Sequence, residues 1–492
     1  MAAITGIIGN NIKPETINEM LKTMSHRGAD SESLCGPLQA GDGEFCGGVT
    51  APRLSAARGN GYAEKDGVVM LFDGEVYNDR AEGVSDAELA LDLYRQKGTA
   101  FAGHLDGVFA CAVYDKGRVL VARDAVGVRP VYVGTGEDGT VCFSSELKGL
   151  VGHATSIEEL HPATVWSSDS GIAGYKAQVP DLPMPAEVEQ AICELRKIVL
   201  ESVERRIEDG ACGACLLSGG LDSSIIAVAA DHLGAKMPMI TVGMEGAQDL
   251  PNAEIVAKHI NAEHIVRNYE KDELAALVPA AVRSLESFDE DCVSGTLSNM
   301  FASACASEVT NCILSGEGGD ELFGGYHLIK DIPSETGRLH MMNKLVAIAF
   351  NTALQRLDRA MMTNGITYRT PFLDSQVMTF AAQCPVRWKI FQADDGRWIE
   401  KWILREAFKD LLPVEIYKRE KLRFAAGTGT DDIMDRIAED VFDVASFNED
   451  SRKTPCGYTL NSPKELWYYQ IFQENFPGAA FEQLVGRWDP NK

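Results

Sequence analysis

The sequence predicts two domains of mixed structure: a β-rich, layered α+β domain at the N-terminus, and a C-terminal α/β domain built on a parallel sheet. Three observations lead to this prediction. The chain of 492 residues is longer than one hydrophobic core usually supports. Its first part has short apolar runs with a period near two, whereas its second part alternates apolar strands with helical patterns. A proline-rich stretch lies between the two parts.

The N-terminal part, residues 4–177, consists of short apolar segments punctuated by glycine. GVVMLFDGEVY, GVFACAVYD and TVCFSSE are typical of strands. Only two segments, residues 15–24 and 86–97, have the longer pattern of amphipathic helices. Strands therefore dominate this part of the chain.

Residues 179–190, VPDLPMPAEVEQ, contain three prolines and little periodicity, which is the composition of a linker. We therefore divide the chain into domains at 1–180 and 181–492. After the linker, the apolar strands ACLLSG, MPMITVGM and NCILSGEG alternate with helical segments. Such a succession predicts parallel strands with crossover helices, whose ligand site lies at the carboxyl ends of the strands.

Charge and composition favour small-molecule chemistry. The formal net charge of -26 disfavours nucleic acid as a partner, because phosphate backbones are bound by clustered Lys and Arg. The chain has no targeting pattern at its N-terminus and no run of about 18 apolar residues. A cytoplasmic location without membrane attachment is the expectation.

The segment LLSGGLDSS follows a predicted strand and opens a predicted helix. Gly219 and Gly220 lack Cβ atoms, so backbone N–H groups of this turn can surround an anion, and serine hydroxyls add further donors. Asp222 lies inside the same turn, and a carboxylate facing phosphates is repulsive unless a divalent cation lies between them. The sequence therefore predicts a phosphate site that uses a metal ion.

A second turn, SGEGGDELFGGY, also follows an apolar strand and carries Glu317, Asp320 and Glu321. If the two strands are neighbours, their acidic turns meet around one pocket. With magnesium, such a pocket suits the departure of pyrophosphate.

These two motifs, followed in order by RTPFLD at residues 369–374 and K-x-x-F-x-x-G at residues 421–427, resemble the synthetase domain of glutamine-dependent asparagine synthetases. The resemblance covers nearly the whole chain. It implies an ATP-pyrophosphatase domain at 181–492 and an AMP-forming carbon–nitrogen ligase that uses ATP and Mg²⁺. The residues that it assigns to ATP are Leu216, Ser218, Gly219, Gly220, Asp222, Ser223, Val242, Gly243, Ser315 and Gly316.

The same resemblance assigns chemical roles. Asp222 and Asp320 match the magnesium-binding carboxylates, and Lys421 matches the lysine that neutralises departing pyrophosphate. These charges would lower the barrier for attack of a carboxylate on the α-phosphorus. Glu317 matches the candidate general base, which takes a proton from ammonia as it attacks the acyl-adenylate.

Residues 1–180 resemble a class II glutamine amidotransferase domain, which implies αββα layers. Arg53, Glu75 and Asp86 match glutamine-binding residues, and Gly74 matches the backbone half of the oxyanion hole. In working members the nucleophile is an N-terminal cysteine, but this chain has Ala2 there. Its methyl group cannot attack an amide, so we expect no glutaminase activity.

Asp73 stands where the family usually has asparagine, and an ionised carboxylate would repel the developing oxyanion. Two defects in one site favour a naturally degenerate glutaminase, although the sequence leaves open whether Ala2 is natural. The expected nitrogen donor is ammonia, with glutamine as the alternative.

The acid substrate is the least determined part of the function. Aspartate is the family default, and residues 286–292 and 366–369 are expected to flank its pocket. Three alternatives remain open: a different carboxylic acid, formation of an intramolecular amide as in β-lactam synthetases, and a silent scaffolding relative. β-Lactam synthetases carry tyrosine at the corresponding position of the second glycine turn. The presence of Glu317 in this chain therefore favours ammonia as the nucleophile. A homodimer is also left open.

Overall fold

The computed structural model describes residues 2–28, 30–52 and 58–488. In the N-terminal part, twelve strands and two helices form four layers in the order α, β, β, α. The strands are β1 (Ala3–Gly9), β2 (Ser31–Ala40), β3 (Gly43–Ala51), β4 (Tyr62–Lys65), β5 (Val68–Val76), β6 (Gly107–Asp115), β7 (Arg118–Arg123), β8 (Tyr132–Thr135), β9 (Val141–Ser144), β10 (Ser156–Glu159), β11 (Thr164–Ser167) and β12 (Gly171–Gly174). The helices are α1 (Pro14–Thr23) and α2 (Asp86–Lys97).

The two sheets have the orders β10-β8-β9-β1-β3-β2 and β12-β11-β7-β6-β5-β4. Successive side chains of β5 point to opposite faces of its sheet, and both faces are buried. Val69 and Leu71 face the core between the sheets, whereas Met70 and Phe72 face α2. On the other side, Ile17 and Met20 of α1 pack against the first sheet. The predicted layered architecture is confirmed, and α2 has the predicted bounds.

The C-terminal part is built on a five-stranded parallel sheet with the order β15-β14-β13-β16-β17. Its strands are β13 (Ala214–Leu216), β14 (Met239–Gly243), β15 (His264–Asn268), β16 (Cys312–Leu314) and β17 (Thr367–Arg369), and a separate hairpin pairs β18 (Phe391–Gln392) with β19 (Trp398–Ile399). The helices are α3 (Val188–Ile207), α4 (Leu221–His232), α5 (Asp249–His259), α6 (Lys271–Leu285), α7 (Glu290–Ser307), α8 (Gly319–Phe323), α9 (His327–Lys330), α10 (Glu335–Ile348), α11 (Ala353–Met362), α12 (Ser375–Gln383), α13 (Val386–Lys389), α14 (Trp402–Phe408), α15 (Val414–Lys418), α16 (Phe424–Gly427), α17 (Thr430–Val441), α18 (Pro463–Asn475) and α19 (Ala479–Glu482).

Residues 175–187, between β12 and α3, form no helix or strand. Our proposed domain boundary at residue 180 falls in this segment. Within the described ranges, no helix combines the length and the apolar character needed to cross a bilayer.

Fully buried charges join the two parts of the chain. Asp358 of α11 accepts two hydrogen bonds from Arg27, at 2.7 and 3.2 Å, and one from Arg359 at 2.8 Å. Arg27 also donates to Glu146 at 2.9 Å. Because Arg27, Glu146, Asp358 and Arg359 have no side-chain exposure, each charge depends on its partners instead of water.

Asp358→Asn is expected to destabilise the protein by about 3–5 kcal/mol at neutral pH, since it leaves buried arginines without their shared carboxylate. Burial raises the pKa of Asp358, but Arg27 and Arg359 outweigh it and lower the pKa to about 2 from its ordinary 3.8. The stabilisation by the charged form is therefore complete above about pH 4 and disappears as the pH falls through about 2.

Denaturant unfolding of the wild type and Asp358→Asn between pH 7 and pH 2.5 measures this effect. The difference in unfolding free energy should shrink as the pH falls. Equal stabilities at pH 7 would contradict a stabilising role for this carboxylate.

Candidate active site

The strand order places both acidic glycine turns at one point of the sheet. β13 pairs with β14 on one side and with β16 on the other. The chain adds β14 and β15 on one side of β13 and then crosses over to add β16 and β17 on the other, so the strand order reverses at the boundary between β13 and β16. At such a point the loops that follow the two strands diverge and leave a crevice. The empty space in and at the mouth of the crevice is about 1270 Å³, which includes space open to solvent. Its walls include ten of the residues that the sequence nominated: Leu216, Ser218, Asp222, Ser223, Val242, Ser315, Gly316, Glu317, Asp320 and Lys421.

The first turn is held in shape by its serines. Ser218 Oγ accepts a hydrogen bond from the Gly220 N–H at 3.2 Å and lies 3.1 Å from Ser223 Oγ. Gly219 has φ +69°, and a Cβ there would lie 2.4 Å from the backbone nitrogen of Ala253. Glycine is therefore required at this position. Gly243, at the end of β14, is outside the lining of the crevice, as are Gly219 and Gly220.

The second turn presses against the first. A Cβ on Gly316 would lie 2.7 Å from the Ser223 backbone nitrogen, and a Cβ on Gly319 would lie 2.7 Å from the Asp222 carboxylate. The absence of side chains at these two glycines lets Asp222 and Asp320 approach one another. Both carboxylates then face the same part of the crevice.

Two lysines neutralise the two carboxylates. Lys401 forms ion pairs with both Asp222 and Asp320, and Lys421 Nζ lies 2.6 Å from Asp320 Oδ2. Burial raises the pKa of Asp320, but Lys401 and Lys421 hold it well below its usual range. Burial lowers the pKa of Lys421, but Asp320 and Asp222 raise it above its usual range. Burial and the neighbouring Asp320 raise the pKa of Asp222, although Lys401 acts in the opposite direction. In formal charge, the two lysines balance the two carboxylates.

Sequence reasoning missed Lys401. It follows β19 in a segment without a recognisable motif, and it caps α14 with a left-handed backbone at φ 54°. Its side chain is only 2% exposed, which for a lysine requires paired carboxylates. An isolated lysine among ordinary surface lysines carries no sequence signal of such a position.

The carboxylate pair suits a magnesium ion. Asp222 Oδ1 is buried and has no hydrogen-bond partner among the described residues. The described residues contain no group of three or more His, Cys, Asp or Glu side chains at metal-binding distance. Magnesium, however, is commonly bound by one or two carboxylates together with substrate phosphates and waters, so two aspartates suffice.

Glu317 lies in a different set of contacts within the same crevice. Arg356 of α11 places Nη2 3.1 and 3.2 Å from its two carboxylate oxygens. The rings of Tyr326 and Trp488 pack at an interplanar angle of 44°, with centroids 4.9 Å apart, and both residues line the crevice. Tyr326 donates a hydrogen bond to Glu321, whose pKa is raised to about 7 by burial and by Glu317. Neither Arg356 nor Trp488 lies in any of the sequence motifs described above.

The two segments expected to flank the acid pocket differ in their position relative to the crevice. Asp291 and Cys292, from the predicted segment 286–292, line the crevice. Residues 366–369 do not, because they form the edge strand β17 and turn their side chains elsewhere. Arg369 in particular reaches into the N-terminal part of the chain.

The residues nominated for glutamine binding are engaged by protein partners. Arg369 Nε and Nη2 each donate to the Glu75 carboxylate at 2.8 Å, and both side chains are buried. Burial raises the pKa of Glu75, but Arg369 and Arg58 hold it far below its usual range. Asp86 is paired with Arg58 and Arg80. Arg53 lies outside the described residues.

Ala2, at the position of the family's nucleophile, is also held by a contact within the protein. The Ala2 backbone nitrogen donates to Asp73 Oδ1 at 2.8 Å, and Arg27 Nη2 donates to Asp73 Oδ2 at 3.1 Å. Gly74, between Asp73 and Glu75, would place a Cβ 2.1 Å from the Val108 carbonyl oxygen. In the described part of this site, each of the carboxylates of Asp73, Glu75 and Asp86 is therefore paired with at least one arginine.

Comparison with known proteins identifies the family of each part of the chain. A family model described as asparagine synthase matches residues 194–353 and 340–480, and one described as a glutamine amidotransferase domain matches residues 1–167. An asparagine synthetase [glutamine-hydrolyzing] from Asparagus officinalis is 30% identical, over 97% of this chain and 86% of that protein. An asparagine synthetase [glutamine-hydrolyzing] 2 from Arabidopsis thaliana is 28% identical, over 98% of this chain and 88% of its own length.

Proposed function

Because this chain belongs to the asparagine synthase family of ATP-dependent carbon–nitrogen ligases, we propose that it adenylates aspartate and transfers the aspartyl group to ammonia. The product would be asparagine, with AMP and pyrophosphate as co-products. The observation that carries the proposal is the ion-paired set of Asp222, Asp320, Lys401 and Lys421 beside the first glycine turn.

The first half-reaction places negative charge on the phosphates. The turn at residues 217–220 and the start of α4 would bind the phosphate chain through backbone N–H groups and the hydroxyls of Ser218 and Ser223. Lys421 and Lys401 would then turn from the aspartates to the phosphate oxygens. Asp222 and Asp320 would hold a magnesium ion, which supplies further positive charge at the departing pyrophosphate.

The second half-reaction needs a proton acceptor. Ammonia attacks the acyl carbon, the bond from this carbon to the AMP oxygen breaks, and AMP leaves with the electron pair. Glu317 would take the proton that the attacking nitrogen must lose. A separate base is consistent with the geometry, because Glu317 pairs with Arg356 and the phosphate-side carboxylates pair with lysines.

Pyrophosphate release with a panel of carboxylic acids, with and without Mg²⁺, tests the proposal. We expect release with aspartate and Mg²⁺, and asparagine formation when ammonia is added. Release with a different acid alone would replace aspartate but keep the adenylating chemistry. A silent relative would release no pyrophosphate and catalyse no exchange of label between pyrophosphate and ATP.

We expect no glutaminase activity, because Ala2 has no nucleophile and Arg369 occupies the Glu75 carboxylate. The measurement compares glutamate release from glutamine with AMP formation from ammonia. Ala2→Cys alone should restore little activity. Adding Asp73→Asn should restore more, since it replaces an anion at the oxyanion position.

Glutamate release by the wild type at a rate comparable with AMP formation would contradict the proposed loss. The exposed pair Lys65 and Asp92 in the same part of the chain offers a control, since Asp92→Asn alters charge without touching the site.

A further inference from the structure

The guanidinium of Arg356 is only partly satisfied. Nη2 alone contacts Glu317, sharing its hydrogens between both oxygens at 3.1 and 3.2 Å. Nε is buried and has no hydrogen-bond partner among the described residues. A buried N–H without a hydrogen-bond acceptor costs free energy, so a ligand that accepts a hydrogen bond from Nε would stabilise this arrangement.

The geometry of the guanidinium edge that carries Nε determines which kind of ligand fits. Nε and Nη2 form one side of the planar guanidinium, and a carboxylate binds this side through two parallel hydrogen bonds. Glu317 does not bind in this way, since it approaches Nη2 alone. A carboxylate docked on the full edge would satisfy Nε and compete with Glu317 for Nη2.

The position of Arg356 is set by its neighbours. A Cβ on Gly295 of α7 would lie 2.6 Å from Arg356 Cδ and 3.3 Å from its Nε. Glycine within a helix costs about 1 kcal/mol relative to alanine, so its use here makes room for the arginine stem. The guanidinium itself lines the crevice and keeps 21% of its side chain exposed there.

We propose that Arg356 binds a second carboxylate of the acid substrate and thereby releases Glu317 to act as the base. This inference rests on the proposed function and assigns to Arg356 the recognition of the carboxylate that is not adenylated. In the empty enzyme, Glu317 is held in an ion pair. With substrate bound, the second carboxylate takes over Arg356, and Glu317 becomes available to accept the proton from the attacking ammonia.

Two matched pairs of acids test the inference. β-Alanine is L-aspartate without its α-carboxylate, and 4-aminobutanoate is L-glutamate without its α-carboxylate. For pyrophosphate release, the wild type should favour the dicarboxylic member of its substrate pair by on the order of 10²-fold in kcat/KM, as expected for loss of a desolvated charge pair. Arg356→Met should bring this preference close to one.

The coupling to Glu317 has its own readout, the amount of amide formed per pyrophosphate released. In the wild type this ratio should be higher for the dicarboxylic acid, because only that acid displaces Glu317. In Arg356→Met the two acids should give the same ratio. A merely structural role for Arg356 would lower both rates without changing the dependence on the acid.

Controls separate the possible failures. Arg356→Lys keeps the charge but loses the planar fork, so it should retain only part of the preference, and it replaces Arg356→Met if that variant does not fold. Gly295→Ala should displace the guanidinium and weaken the preference. Glu317→Gln should keep the preference in pyrophosphate release.

The inference is overturned if Arg356→Met, or its replacement, retains the wild-type preference. It is also overturned if the wild type adenylates only monocarboxylic acids, an outcome that leaves the adenylating function intact. If the wild type releases no pyrophosphate with any acid, the proposed function itself fails and the inference falls with it.

Discussion

Lys421→Met should reduce pyrophosphate release by on the order of 10²-fold or more, with little loss of stability. Lys421 is the most exposed member of the charge set, at 21%, and its partner Asp320 keeps a second cation in Lys401. Its removal therefore leaves no buried carboxylate unpaired. The substitution instead removes stabilisation of the transition state, in which negative charge develops on pyrophosphate next to the lysine.

The measurement is kcat for pyrophosphate release together with the melting temperature. Asp222→Asn should give a similar loss of activity through the magnesium site. Lys418→Met removes a nearby exposed lysine and should behave like the wild type. If Lys421→Met lowered the melting temperature strongly while its folded fraction stayed fully active, Lys421 would be structural.

Glu317→Gln should separate the two half-reactions. The substitution keeps the size of the side chain and its hydrogen bonding to Arg356, but it removes the proton acceptor. Pyrophosphate release should persist, whereas amide formation should fall by about 10²- to 10⁴-fold, the usual range for loss of a general base. AMP and free acid should then form without matching amide.

Quantifying AMP, pyrophosphate and amide in the same reaction checks this expectation. Glu335→Gln, at an exposed position of α10, is a control for the change in charge. A complete stop of pyrophosphate release in Glu317→Gln would assign this glutamate to activation of the acid. The proposal that it serves ammonia attack would then be wrong.

Much of the architecture followed from local patterns. The short, continuous apolar run of β5 predicts a strand that is buried on both faces, and the helical pattern of residues 86–97 predicts α2. The glycine turns were also predictable, because positive φ at Gly219 and close backbone approach at Gly316 restrict those positions to glycine. The order of the strands, by contrast, depends on contacts between distant segments.

By itself, the sequence determined the strands and helices of the two parts, the two acidic turns and the residue types within them, because these properties arise within a few neighbouring positions. Only the tertiary structure decided which cations meet them. Lys401, Arg356 and Arg369 lie in segments distant from Asp222, Glu317 and Glu75 along the chain. A buried carboxylate requires a counter-charge, but nothing in its local sequence states which of the 46 lysines and arginines supplies it.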